Sequence, residues 1–132
     1  MCAVYGKCMV TKLPSYSTIG LTHAPVEIEA DISRGLPSFR VVGLGDACVQ
    51  EAKERVKTAI KNSGYEFNMS RITVNLAPSD IKKEGSYFDL PIALGILGAS
   101  KQLNTRKLSE YLCAGELALD GSLRPVSNVI GF

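Results

Sequence analysis

The strongest constraint on the fold is a stretch of helix length that contains no charge. Residues 90–99 read LPIALGILGA, and Asp89 precedes them as a predicted N-cap. Pro91 is tolerated because it falls in the first turn, where no backbone donor is lost. A helix without a polar stripe must be covered on most sides, and Gly95 and Gly98 suit a close approach to a sheet. We therefore expect this helix to be buried against a β-sheet.

Alternating side chains predict the strands of that sheet. Residues 26–32 alternate apolar and acidic side chains, and residues 72–76 alternate apolar and polar ones. A shorter strand is expected at Tyr16–Leu21. The preceding residues, 1–15, are interrupted by glycine and proline and predict an N-terminal extension ahead of a domain at residues 16–132.

Two turns are predicted from their residue types. The RGLP sequence at residues 34–37 is expected to return the chain into a strand at residues 39–42, which would place Asp31 opposite Arg40 as a cross-strand ion pair. Asp120-Gly121 is a strong hairpin signal between two short apolar segments.

A second helix is predicted between the strands. Asp46 is its expected N-cap, apolar residues recur at helical spacing from Val49 to Ile60, and Gly64 supplies a left-handed stop. Strands followed by alternating strand and helix indicate an α+β fold, a mixed β-sheet with helices packed on one face.

Size and charge narrow the function classes. The chain has 132 residues, enough for one domain, and its net charge of +2 is too small to indicate nucleic acid by itself. The longest apolar stretch is far shorter than the roughly 20 residues that span a bilayer, and no signal peptide is recognisable. We expect a cytoplasmic protein without a membrane partner. The apolar residues 129–132 carry no stop signal, so we expect the domain to continue beyond them.

Metal and nucleotide sites are not indicated. The four cysteines lack CxxC spacing and there is one histidine; Cys48 and Cys113 lie in apolar patterns and are expected in the core. The Gly43-x-Gly45 sequence lacks the rest of a dinucleotide fingerprint, and no P-loop occurs. Acidic residues on one face of the strand at 26–32 would be about 7 Å apart, which favours a solvated face over a metal site.

Several long motifs resemble one family. They are PVEIEADISRGLPSFRVVGLGD (residues 25–46), AIKNSG (59–64), ITVNLAPSDIKKEG (72–85) and FDLPIALGIL (88–97). Together they resemble the N-terminal domain of the ComM/YifB family, the magnesium-chelatase-related proteins, over roughly residues 16–130. The resemblance implies a following AAA+ ATPase module, which would bind ATP and Mg and assemble into a ring, and a parent that is a helicase in DNA branch migration during natural transformation.

The spacing of residues 71–97 and 115–126 also resembles the proteolytic domain of the Lon protease. That resemblance implies a fold shared with the second domain of a small-subunit ribosomal protein, including a left-handed βαβ crossover. It aligns Tyr87 with the protease serine and Ile130 with its lysine. Neither side chain can supply a nucleophile and base, so a non-catalytic accessory domain is expected.

Two other functions stay open. A serine–lysine peptidase with displaced groups would use Ser79 or Ser86 as nucleophile and Lys82 or Lys83 as base. A magnesium-chelatase subunit is the second, although that similarity lies chiefly in the ATPase module.

A basic surface is the candidate binding feature. Lys53, Lys57 and Lys61 stand four residues apart on one helix face. The other cations that could join them against DNA phosphates are Arg55, Lys82 and Lys83. Interleaved acidic residues favour an ordinary solvated face instead. The loop at residues 78–85 is predicted to contact the ATPase module, a neighbouring subunit or DNA, or to serve only as the entry to the buried helix.

Overall fold

A four-stranded mixed sheet with two α-helices forms the body of the chain in the computed structural model, which describes residues 10–19, 22–67 and 70–125. The elements are β1 (Val10–Ile19), β2 (Thr22–Ser33), β3 (Ser38–Val42), α1 (Asp46–Asn62), β4 (Arg71–Ala77), α2 (Asp89–Ala99), a 3-10 helix (Arg106–Glu110), β5 (Glu116–Leu117) and β6 (Leu123–Arg124). This arrangement confirms the predicted α+β class. None of the helices in the described ranges is long and apolar enough to cross a membrane.

The strand order is β1-β2-β4-β3, which corrects one predicted pairing. β4 pairs antiparallel with β2 and parallel with β3, so it separates the two strands that the sequence had paired. Asp31 and Arg40 are both in register with Thr73, from opposite sides, about 10 Å apart. The turn at residues 34–37 does reverse the chain, but the apolar β4 takes the central position. The left-handed sense of the β3–α1–β4 crossover stays a prediction.

The first strand is longer than predicted. β1 begins at Val10, six residues before the expected start at Tyr16. Pro14 lies inside it, opposite Glu27. Proline is compatible with this position because β1 is an edge strand, where a missing N–H need not break the ladder. Residues 20 and 21, the end of the predicted strand, lie outside the described residues.

The core lies between the helices and one face of the sheet. Ile28 and Ala30 of β2 and Val74 and Leu76 of β4 are all fully buried, as the alternation predicted. The helix α2, which carries no charge after Asp89, contacts β1 and β2 and buries most of its residues. A Cβ at Gly95 would lie 3.1 Å from the Ala30 methyl, so this glycine does allow the close approach of helix and sheet.

The helix ends differ in detail from the prediction. Asp46 and Asp89 are the first residues of their helices rather than N-caps, and neither helix has a side-chain cap. Both carboxylates remain in the first turn, where negative charge is favourable. Gly64, after α1, has a φ of +89° as predicted. The Asp120-Gly121 turn joins β5 and β6 as predicted.

Candidate functional site

The position aligned with a protease nucleophile is occupied by packed aromatic rings. Tyr87 precedes α2, and its ring centroid lies 5.8 Å from that of Tyr16 and 4.7 Å from that of Phe88. Tyr16 and Phe88 are almost fully buried. Tyr87 therefore joins the edge strand β1 to the start of α2 through ring contacts. Ile130, aligned with the protease lysine, lies outside the described residues.

Ser86 and Lys83, two of the groups proposed for a displaced serine–lysine pair, are engaged by other partners. Ser86 Oγ donates a hydrogen bond to the Glu116 carboxylate. Lys83 Nζ donates to the backbone carbonyls of Pro78 and of Ile81, the latter at 2.7 Å. A lysine whose protons are held by carbonyl oxygens is a donor in this geometry, whereas a general base must accept a proton.

Burial of Lys83 corrects its assignment to the basic surface. Its side chain is 2% exposed and the loop at residues 78–85 folds around it. Burial lowers the pKa of the Lys83 ammonium, and the Asp80 carboxylate opposes that shift. Lys83 thus stabilises the loop from its interior, through hydrogen bonds to the loop backbone. The neighbouring Lys82 is exposed and pairs with Glu84 at 3.8 Å.

The backbone of this loop is tied to two separate elements. Ser17 Oγ on β1 donates to Lys82 O at 3.0 Å. Gly45 N, at the start of α1, donates to Lys83 O at 2.9 Å, and Gly85 N contacts Cys48 Sγ at 3.4 Å. The loop therefore bridges the edge strand β1 and the first turn of α1. Its exposed side chains are those of Pro78, Ser79, Asp80, Lys82 and Glu84.

A buried carboxylate links the two helices to the β5–β6 hairpin. Asp89, 1% exposed, accepts two hydrogen bonds from Arg55, at 2.6 and 3.2 Å, and one from Leu117 N at 3.2 Å. Burial raises the pKa of the Asp89 carboxyl, while the Arg55 and Leu117 donors oppose that rise. The hydrogen bond to Asp89 in turn raises the pKa of Arg55. Arg55 was expected on the basic surface and instead neutralises this carboxylate.

A second ionic contact lies beside the first. Glu116 accepts a hydrogen bond from Ser86 Oγ, and its other oxygen is 3.7 Å from Arg124 Nε. Sequence reasoning missed both contacts. A signal was present for the first: a carboxylate at the head of a charge-free helix needs a cation when that helix is buried.

The three lysines of α1 separate into two environments. Lys53 and Lys57 are half-buried and line a groove between α1 and β3, with Lys53 Nζ 5.8 Å from the centre of the Phe39 ring. Lys61, one turn further, is exposed. Helical spacing predicted that the three lysines share one face of α1. In the structure Lys53 and Lys57 line the groove next to β3, and Lys61 lies outside it.

The acidic side chains of β2 show no metal-site geometry. Glu29 accepts a hydrogen bond from Asn75 at 3.0 Å and lies 3.9 Å from Lys12 Nζ. No group of three or more potential metal ligands occurs in the described ranges 10–19, 22–67 and 70–125. Cys113 is buried as predicted, and Cys48 is half-buried.

An apolar cavity of about 590 Å³ opens next to the loop at residues 78–85. Pro14, Pro25 and Pro78 line it, and the charged residues Lys12 and Glu27 also form part of its lining. Its walls come from β1, β2 and the end of β4. The cavity and the exposed side of the loop therefore form one continuous surface at this end of the sheet.

Comparison with known proteins gives a consistent class. The family described as subunit ChlI of Mg-chelatase matches residues 28–132. The YifB protein of Escherichia coli (strain K12) is 50% identical over 114 residues, covering 86% of this chain and 22% of that protein. The competence protein ComM of Haemophilus influenzae is 47% identical over 116 residues, covering 88% and 23%. A Mycobacterium tuberculosis (strain H37Rv) protein is 42% identical over 116 residues.

These matches define a magnesium-chelatase-related domain. The chain belongs to the ComM/YifB family of such proteins. It spans about a fifth of the length of these relatives.

Proposed function

We propose that the chain is a non-catalytic accessory domain of an AAA+ ATPase that acts in DNA processing. The observation that carries the proposal is the packing of Tyr87 between Tyr16 and Phe88 at the position aligned with a peptidase nucleophile. Of the alternative groups, Ser86 is engaged by Glu116 and Lys83 by backbone carbonyls. In this proposal the domain supplies a shaped surface and the chemistry belongs to another module.

The similarity to a competence protein supports the DNA-processing part of the proposal. The relatives are more than four times as long as the matched segment. ATP and Mg²⁺ would be bound by the AAA+ module of the full-length parent, which would use the hydrolysis of ATP to move DNA strands during natural transformation.

The surface at the loop of residues 78–85 is our candidate for contact with that module or with a neighbouring subunit of a ring. The backbone of the loop accepts hydrogen bonds from the Ser17 hydroxyl on β1 and from Gly45 N at the start of α1, so its exposed residues are presented in a fixed arrangement. The adjoining proline-lined cavity offers apolar area. Apolar area rimmed by charges is typical of protein interaction sites.

DNA contact by this domain is the second part to be tested. Lys61 and Lys82 are the exposed members of the predicted set. We would measure fluorescence anisotropy of labelled single-stranded, duplex and four-way-junction DNA with the chain across a salt series. Salt-dependent binding that prefers one DNA structure, weakened by Lys61→Glu and Lys82→Glu, would place DNA on this domain. Absence of binding at low salt would assign DNA contact to the ATPase module and leave assembly as the domain's role.

The non-catalytic part needs its own test. Incubation with casein and with a serine-directed covalent probe should give neither cleavage nor labelling. Labelling that disappears in Ser86→Ala or Ser79→Ala would contradict the proposal and restore the peptidase. The chelatase alternative, which the family description names, stays a prediction.

A further inference from the structure

The outer edge of β3 is available for pairing in the described part of the chain. β3 is the terminal strand of the sheet and pairs there only with β4. Ser38 N donates toward β4, to Ser70 O, at 3.2 Å. Backbone groups of successive strand residues point to opposite edges, so Phe39 and Val41 direct their N–H and C=O groups outward. This edge thus offers two donors and two acceptors at the spacing of a strand.

A groove of about 230 Å³ lies between the first residues of β3 and α1. The rings of Phe39 and Phe67 pack against each other in it, with centroids 5.4 Å apart. The residues that line the groove are Pro37, Ser38, Phe39, Gln50, Lys53, Glu54, Lys57, Phe67 and Ser70. An added strand on β3 would carry alternate side chains on the face of the sheet where this groove lies. We call the outer edge of β3 together with this groove the open edge.

The charge of the open edge selects the partner. Lys53 and Lys57 lie in the groove with a single carboxylate, that of Glu54. Arg40 is exposed on the opposite face of the same strand. An added strand would therefore meet cations on both of its faces, because its side chains alternate between them. Acidic side chains complement these positions.

Two other occupants fit less well. Antiparallel pairing of two copies of β3, centred on the strand, would place two Arg40 side chains directly opposite each other, which is destabilising. Single-stranded nucleic acid would need aromatic faces open for base stacking. Phe39 and Phe67 are instead half-buried against each other, with Lys53 over Phe39.

We propose that the open edge binds an extended acidic segment of a partner protein by strand addition to β3. Main-chain hydrogen bonds to Phe39 and Val41 supply the common binding energy, and Lys53, Lys57 and Arg40 supply the preference for acidic side chains. This binding site is separate from the loop surface assigned above, and it holds whether or not the domain touches DNA.

The test uses a fluorescein-labelled peptide of about eight residues, a usual strand length, in which Glu-Glu and Val-Val pairs alternate so that glutamates lie on both faces of the added strand. Titration with the chain should give saturable binding that weakens as salt is added. Replacing every glutamate with glutamine should weaken binding at least about tenfold, as expected for the loss of charge-assisted hydrogen bonds. The double variant Lys53→Glu/Lys57→Glu should do the same. Lys107→Glu, at an exposed lysine of the 3-10 helix that packs against β1, should leave affinity unchanged.

Backbone N-methylation distinguishes strand addition from simple charge attraction. Two peptides are compared, each methylated on every second amide. In one peptide the methyl groups replace the N–H groups that face β3, and in the other they replace only N–H groups that face solvent. One methylated peptide should bind at least about tenfold more weakly and its phase-shifted counterpart should bind normally. Equal affinities for the two would overturn the proposal. So would equal binding of the glutamine peptide, no binding of the acidic peptide, or tighter competing binding of a single-stranded oligothymidine.

Discussion

The two edges of the sheet are treated in opposite ways. At β1 the chain itself covers part of the outer edge: Cys113 N donates to Pro14 O at 3.1 Å, and the side-chain hydroxyls of Ser15 and Ser17 donate to the carbonyls of Cys113 and Lys82. At β3, in the described residues, no segment takes the outward groups. We call the covered region, comprising β1, the loop at residues 78–85 and the Asp89 contacts, the braced side.

The two edges of the sheet are therefore expected to have different roles. An edge strand left unpaired is a liability for aggregation, which proteins reduce with short strands, charge or cover. The long β1 is partly covered by the chain itself. The short β3 carries cations and, among the described residues, has no strand on its outer side. Substitutions on the braced side should therefore lower the free energy of unfolding, and substitutions at the open edge should change binding instead.

The largest effect is expected from Asp89→Ala on the braced side. Removing the carboxylate leaves Arg55 and Leu117 N without their acceptor, and breaking a buried pair in this way costs about 3 kcal/mol in the free energy of unfolding. Urea denaturation followed by circular dichroism measures it. Glu110→Ala, at an exposed acidic residue, is the matched control and should be nearly neutral. Similar midpoints for the two variants would mean that Asp89 does not brace the helices.

A smaller loss is expected from Lys83→Met. Methionine fills similar space but leaves the Pro78 and Ile81 carbonyls without their buried donor, a loss of about 1–3 kcal/mol in the free energy of unfolding. The exposed neighbour gives the control: Lys82→Met should change it by less than about 0.5 kcal/mol. Equal effects of the two substitutions would show that Lys83 does not stabilise the loop through its buried hydrogen bonds.

The pH dependence of the free energy of unfolding, compared between the unsubstituted chain and Lys83→Met, tests whether the pKa of Lys83 is lowered. Because burial lowers the pKa of Lys83 in the folded chain, the unfolded chain binds more protons between that lowered pKa and the ordinary value of 10.5. Stability contributed by Lys83 should therefore rise as pH increases through this window. The free-energy difference between the parent chain and Lys83→Met should widen from neutral to alkaline pH. A constant difference would show that the Lys83 pKa is not lowered.

The smallest effect on stability is expected at the open edge. Arg40→Glu changes an exposed side chain and should alter the free energy of unfolding by less than about 0.5 kcal/mol, while it weakens binding of the acidic peptide. Arg106→Glu, in the 3-10 helix, makes the same charge change away from β3 and should affect neither quantity. A large loss of stability in Arg40→Glu alone would mean that this edge also braces the fold.

The sequence predicted what depends on local periodicity. The alternation in β2 and β4, the buried α2 and the Asp120-Gly121 turn are all found in the structure. The pairing of β3 was wrong because a turn after a strand indicates reversal of the chain and not which strand is its neighbour. The start of β1 was wrong because Pro14 was read as a breaker, and an edge strand accepts proline.

The charged residues were harder to place. Lys83 and Arg55 have the same sequence context as exposed cations, and their positions depend on partners 5 and 34 residues away. Tertiary structure alone brings Arg55 to Asp89. The helical spacing of Lys53, Lys57 and Lys61 gives no difference between them. In the structure the first two line the groove next to β3, and the third is exposed outside it.

Amide hydrogen exchange at single residues tests the open edge most directly. The free chain should exchange the outward amides of Phe39 and Val41 quickly, while those of Ser38 and Arg40, directed toward β4, should exchange slowly. Saturation with the glutamate–valine peptide should slow exchange at Phe39 and Val41 selectively. Unchanged exchange at both residues with the peptide fully bound would contradict strand addition at β3 and, with it, the division between a braced side and an open edge.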